Sequence, residues 1–142
     1  MNLEQIEDGF FVSPQLMPEH LGDLAAQGVK TIINNRPDGE RGFYPADAKM
    51  TELVTGHGMD YHFIPVNLMG LTIEPIKAFE NVLREASGPI VAYCASGQRS
   101  TMIWALASAT RKTVDEIITA CAAQGHDLSQ MRPMLMQMAR AA

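Results

Sequence analysis

Within the run Tyr93-Cys94-Ala95-Ser96-Gly97-Gln98-Arg99-Ser100, a thiol, an arginine and a hydroxyl fall inside seven consecutive residues, Cys94 to Ser100. The segment before them, Pro89-Ile90-Val91-Ala92-Tyr93, is short, apolar and β-branched, as a buried parallel strand is; the segment after them, Thr101 to Ala107, has helical composition. A strand that turns directly into a helix aims the free N–H groups of the turn and of the helix N-terminus at one point. Cys94, at the start of the turn, lies inside that ring of donors. Those dipoles and the Arg99 charge favour its thiolate, which makes it a nucleophile in an anion cradle. Gly97 supplies a turn without a Cβ, Arg99 can hold an oxyanion through two parallel bonds, and Ser100 is placed to donate to the thiolate. Ala95, Ser96, Gly97 and Gln98 then line the bound anion. A buried cysteine is often a small core residue and nothing more. For Cys94 the flanking Gly97, Arg99 and Ser100 favour catalysis, whereas Cys121, in Ala120-Cys121-Ala122-Ala123, reads as a helix-packing thiol.

The elements that must position this loop follow from punctuation and periodicity. A first strand is predicted at Phe10-Phe11-Val12, ended by Ser13-Pro14, then a helix from Pro18 to about Gln27 with Gly28 as its stop. Val29 to Asn34 reads as a strand and Asn35 to Gly42 as a Pro- and Gly-rich loop. A helix from about Ala46 to His57 follows, then a strand Tyr61 to Val66 that Pro65 brings to its end. Thr72 is expected to cap a helix carrying Pro75 in its first turn and running to about Ala86. After the Cys94 unit, Thr113 and Glu116 have capping-box spacing for a helix ending near Gly125, and Ser129 is expected to cap a last helix. Met131, Met134, Met136 and Met138 are assigned to packing that helix onto the sheet. Alternating strands and helices predict an α/β fold, a small and mostly parallel sheet flanked by helices, with ligands bound outside the carboxyl ends of the strands. The loops at Cys94 and at Asn35 to Gly42 share that edge and are expected to meet across one pocket. Asn34, Asn35, Arg36, Asp38 and Glu40 fit a hydrogen-bonded Pro-Asp-Gly turn and a binding loop equally well. In the second case Arg36 binds an anionic substrate and Asp38 is the substitute acid.

At 142 residues and 46% hydrophobic, the chain suits one domain, residues 1–142. A formal charge of −5 argues against nucleic acid or an anionic membrane as partner. The start, Met1 to Asp8, lacks the basic and apolar parts of a signal peptide, and no apolar run is long enough to span a bilayer, so a cytoplasmic location is expected. Two cysteines make no disulfide framework, and His20, His57, His62 and His126 lack ligand spacing, so neither metal nor cofactor is expected.

The pattern Cys-x-x-Gly-x-Arg-Ser resembles two enzyme families that share this strand, loop and helix: cysteine-dependent protein phosphatases and rhodanese-type sulfurtransferases. Phosphatase loops place one residue more between cysteine and arginine than the four here, Ala95 to Gln98; the shorter ring is similar to that of rhodaneses and suits a single sulfane sulfur. Thr31 to Glu40, Phe63-Ile64-Pro65-Val66, the Cys94 loop and Gly125-His126-Asp127-Leu128 together resemble the phosphatase-like family found as stand-alone bacterial proteins and beside beta-lactamase hydrolase-like proteins. That resemblance implies a dual-specificity-phosphatase-like fold, and its members carry both phosphatase and sulfur transferase labels. Such phosphatases place a general-acid aspartate just after the strand matching Phe63 to Val66, where this chain has Asn67. Asparagine cannot protonate a leaving alkoxide. Sulfur transfer has no such requirement, because sulfite or thiolate leaves as a stable anion.

These readings point first to a sulfurtransferase that forms a persulfide on Cys94 from a small anionic donor, thiosulfate or a low-molecular-weight persulfide, and passes the sulfur to a thiol acceptor. The alternative is a phosphatase-like hydrolase of phosphoesters acting through a phosphocysteine. A third reading makes the cradle a non-enzymatic anion or persulfide sensor.

Overall fold

The computed structural model describes residues 2–141. Its strands are β1 (Glu4–Glu7), β2 (Phe10–Ser13), β3 (Thr31–Asn34), β4 (Asp60–Phe63) and β5 (Ile90–Tyr93). Its helices are α1 (Pro18–Ala26), α2 (Asp47–Gly56), α3 (Ile73–Glu85), α4 (Gln98–Ser108), α5 (Val114–Ala122) and α6 (Arg132–Arg140), with a 3₁₀ turn at Ser129–Met131 before α6. The strands form one sheet in the order β1-β2-β5-β3-β4. Parallel pairing joins β2, β5, β3 and β4, while β1 adds an antiparallel edge with a register shift between Gln5 and Glu7. This is the α/β, mostly parallel architecture that the alternation of elements predicts.

All four residues of β5 are buried, as a central strand covered on both faces requires. Its alternation divides the core. Ala92 joins Phe10, Ile33, Phe79, Ile103 and Trp104 under α3 and α4, while Val91 and Tyr93 join Leu21, Leu24, Ile32 and Met50 under α1 and α2. Trp104 stacks on Phe10 at 6.0 Å and Phe79 meets the same ring edge-on at 5.8 Å, which fixes α4 and α3 on that face.

The sequence reading misses β1, whose residues Glu-Gln-Ile-Glu offer one buried side chain, Ile6, and so no run of alternation. The structure also starts α4 at Gln98, ahead of Thr101, because Gly97 at φ +92° makes the turn and becomes the N-cap. Thr72 holds the N-cap position of α3 but its side chain makes no capping bond. Thr113 and Glu116 do form the reciprocal box, with bonds of 3.1 and 2.9 Å. Ser129 opens the 3₁₀ turn and does not cap α6, which begins at Arg132 with Pro133 in its first turn. In α6 it is Leu135 that is buried; Met134 and Met136 face outward, and Met131 and Met138 pack at the margin of the core.

Candidate active site

Cys94 leaves the carboxyl end of the middle strand, and both flanking strands send a loop to hold it there. Asn35 N–H, after β3, donates to the Tyr93 carbonyl at 2.8 Å; Gln15 N–H, after β2, donates to the Ala95 carbonyl at 3.2 Å. The thiol is fully buried, and its sulfur accepts the Gly97 N–H at 3.1 Å. Gly97 has an orientation that L side chains rarely adopt, and this φ, with ordinary contact distances to the Ser13 backbone, is what requires glycine. The α4 dipole ends at the same loop, so an anion on the sulfur or bound to it is stabilised from below. Ser96 turns its hydroxyl back to accept the Gln98 N–H at 3.3 Å.

Arg99 reaches across the cleft to the β3–α2 loop. Its Nη1 and Nη2 donate to Glu40 Oε2 and Oε1 at 2.7 and 3.0 Å, and Nη1 also donates to the Val66 carbonyl at 3.3 Å. Glu40 does most to hold the guanidinium above its ordinary value, burial opposes this, and the Cys94 sulfur adds to it. In return Arg99 holds the Glu40 carboxyl below the usual carboxylate value, against the effect of burial and with help from Arg36. Glu40 thus engages both terminal nitrogens of Arg99.

Arg36, expected to bind substrate, is engaged within its own loop and by Gln15. Its Nε donates to Glu40 at 3.2 Å, Nη1 to Gln15 Oε1 at 3.1 Å and Nη2 to the Arg41 carbonyl at 2.8 Å, while the guanidinium stacks over Tyr44 at 3.5 Å. Each nitrogen of this cation is engaged, and Glu40 lies between it and Arg99. The Asp38 carboxylate accepts the Asp47 N–H at 2.8 Å, at the first turn of α2, where it satisfies a helix donor. The Ser100 hydroxyl, expected at the thiolate, donates to Asn35 Oδ1 at 2.8 Å, and Asn35 Nδ2 donates to the Ile64 carbonyl at 2.8 Å. The Ser100 proton thus ties α4 to the β3 loop, and the bond to the sulfur comes from the Gly97 amide. Ala95, Ser96, Gly97 and Gln98 form the loop around Cys94 as the spacing predicts.

Two loops expected to meet do meet, through Arg99 and Glu40. Gln15 and Tyr44 are the residues that the sequence reading leaves out of the site, while Asn35 and Glu40 it places in a turn or binding loop without giving either a role of its own. The only signal for Glu40 is a carboxylate in a loop on the strands' carboxyl edge. Asn67, one residue beyond the Val66 carbonyl that Arg99 uses, accepts the Met69 N–H at 3.0 Å in a local turn and presents no acid.

Comparison with known proteins places this geometry. The profile of the family described as beta-lactamase hydrolase-like protein, phosphatase-like domain, matches residues 2–111. A beta-lactamase hydrolase-like protein of Agrobacterium fabrum (strain C58) is 37% identical over 109 residues, 77% of this chain and 25% of that protein. The chain therefore spans about a quarter of that relative's length. The crystal structure of a candidate phosphatase from Neisseria meningitidis Z2491 is 30% identical with a TM-score of 0.79, covering 94% of this chain and 96% of that one. TpbA of P. aeruginosa, solved with pTyr, is 12% identical with a TM-score of 0.68, covering 99% of this chain and 89% of that one; it shares the fold. No described helix is long and apolar enough to cross a membrane.

Proposed function

The chain belongs to the family of phosphatase-like domains of beta-lactamase hydrolase-like proteins, and on that premise we propose that it is a cysteine-dependent hydrolase of phosphoesters. The carrying observation is Arg99, fixed by Glu40 and close enough to Cys94 to interact with its sulfur, beside a thiol that accepts the Gly97 amide at the N-terminus of α4. The Cys94 thiolate attacks phosphorus, the P–O bond to the leaving group breaks, and a phosphocysteine forms with its oxygens toward the loop amides and the Arg99 fork. Water then attacks that phosphorus, the P–S bond breaks, and phosphate leaves as the thiolate is restored. Asn67 provides no proton, so the leaving oxygen departs as an anion or takes its proton from water, and the suited substrates are aryl esters with acidic alcohols. The family match and the likeness to a phosphatase-like crystal structure support this reading over the sulfurtransferase that the loop length and Asn67 favour.

The test is turnover of p-nitrophenyl phosphate with release of inorganic phosphate, absent in Cys94→Ser. Failure of the purified protein to release phosphate from any aryl ester would sink the reading. Asn67→Asp is expected to raise turnover of a poorer leaving group, phenyl phosphate, several-fold, with a smaller gain on the nitrophenyl ester.

A second reading is favoured by two observations, the four-residue interval between Cys94 and Arg99 and the asparagine at position 67. In it the Cys94 thiolate attacks the outer sulfur of thiosulfate, the S–S bond breaks, sulfite leaves, and the cysteine persulfide hands its outer sulfur to a thiol. Intact mass after thiosulfate treatment distinguishes the two, since only this reading adds one sulfur atom to wild type and none to Cys94→Ser. A cytoplasmic location and a small phosphoester substrate complete the proposal, the charge of −5 leaving nucleic acid and anionic membrane unfavoured.

A further inference from the structure

Large apolar side chains on the surface are unevenly placed. Among the described residues Phe43 and Met69 stand almost wholly in water, 97% and 94% exposed, and Leu68, Ile73, Met134 and Met136 are about half exposed. Met134 and Met136 belong to α6. The other four stand on the β3–α2 loop and on the β4–α3 loop with the first residue of α3, and these are the two loops that Arg99 bonds. Phe43 is three residues beyond Glu40, and Met69 is three residues beyond Val66, whose carbonyl Arg99 also uses. Three residues of chain reach no further than ~11 Å. Each apolar tip is therefore confined to the neighbourhood of the guanidinium that meets the anion.

Both tips are held in place by their own loops. In the first, the Tyr44 hydroxyl donates to the Pro37 carbonyl at 2.7 Å and accepts the Glu40 N–H at 2.8 Å, while the Arg41 carbonyl accepts Arg36 Nη2 at 2.8 Å. Gly42, at φ +120°, turns the chain between those anchors, and Arg36 Nη2 lies 3.1 Å from where a Cβ on it would stand. In the second, Asn67 closes its turn twice, Oδ1 accepting the Met69 N–H at 3.0 Å and the carbonyl accepting the Gly70 N–H at 3.1 Å. The residue in the place of an acid thus shapes the turn that displays Met69. Apolar groups fixed in water gain nothing from folding, and a set of them beside a cleft marks a contact surface.

We infer that Phe43 and Met69 are specificity-determining residues that receive the apolar leaving group of the substrate, so that phosphoesters of extended, two-ring alcohols are preferred over single-ring ones. Displacement at phosphorus is in line, so the leaving alcohol faces away from Cys94, toward the open side of the cleft that these loops border. The occupant is the substrate and not a second protein: four side chains, two of them half-buried, fall well short of the ~1,000 Å² that a specific protein interface covers. The inference rests on the phosphatase reading, to which it adds the shape of the alcohol.

The test compares phenyl phosphate with biphenyl-4-yl phosphate in wild type, Phe43→Ser, Met69→Ser and the double variant, with Met136→Ser as a surface control from neither loop. Wild type is expected to favour the two-ring ester in KM by about tenfold, the scale of withdrawing part of one ring from water. That preference should shrink in each single variant, vanish in the double and persist in Met136→Ser. Equal KM values in wild type, or a preference that survives in the double variant, would overturn the assignment. So would a wild-type dimer in sedimentation that the double variant dissolves, since the rim would then belong to a second copy. A second readout separates this from failure of the phosphatase reading: the concentration of each ester that half-protects Cys94 from iodoacetamide. If neither ester is turned over, the reaction assignment fails, and the same protection ratio, lost in the double variant, still decides the rim; no protection by either ester overturns both.

Discussion

Cys94 and Cys121 are both free and both fully buried, yet they lie in opposite surroundings. Cys121 sits on α5 in the apolar cluster with Ile103, Trp104 and Leu135, and burial alone pushes its thiol up to about 12. Cys94 has no more exposure, but its surroundings are a backbone donor, a helix N-terminus and a guanidinium fixed by a carboxylate. Burial therefore decides nothing by itself. What separates a reactive thiol from an inert one is whether the groups that replace water are dipoles aimed at sulfur or methylenes.

The contrast is most directly broken at the cysteines themselves. Cys94→Ser is expected to abolish aryl phosphate turnover, whereas Cys121→Ala leaves turnover in place; comparable losses in the two variants would end the distinction. Arg99→Ala should lower kcat/KM by roughly 100- to 1,000-fold, the scale for removing one donor from a preorganised oxyanion site, with circular dichroism unchanged. Glu40→Gln keeps the size of the side chain and frees Arg99 to wander, and a loss of about tenfold is expected, largely in kcat. Arg36→Lys, which loses the stack on Tyr44 and the fixed fork, should resemble Glu40→Gln more than wild type. The smallest effect concerns stability. Glu40 has a folded-state value below its ordinary 4.5, so the unfolded chain takes up the proton first, and the pair's contribution is complete above pH 4.5 and lost as pH falls through the lowered value. Urea midpoints of wild type measured from pH 7 down to pH 3 should therefore converge on those of Glu40→Gln; parallel curves would show that the ion pair contributes no pH dependence.

How far the sequence discloses the molecule follows the range of each interaction. The Cys94 loop was legible because its strand, its turn glycine, its arginine and its helix are consecutive, and local rules of turns and dipoles suffice. Glu40 was not, since its purpose is set by an arginine 59 positions away, and a carboxylate after Pro-Asp-Gly has turn chemistry as a sufficient local explanation. The sequence reading points Arg36 to substrate and Ser100 to sulfur because a sequence shows which donors exist but not which acceptors arrive first. Gln15, Glu40, Tyr44 and Asn35 are those acceptors or supports. The edge strand β1 is hidden by its polar residues, whereas β3 and β5, buried on both faces, announce themselves as apolar runs.

One consequence of the strand order concerns how the protein comes apart. The nucleophile follows the middle strand, with β2 and β3 bonded along both edges and the loops after them bonded to the Tyr93 and Ala95 carbonyls. A chain so enclosed has no inexpensive partial opening, because freeing it means separating both halves of the sheet. Amide hydrogens of Val91 to Tyr93 should then exchange only through whole-molecule unfolding, and in denaturant the thiol's reactivity and the fold's cooperativity should vanish at one midpoint.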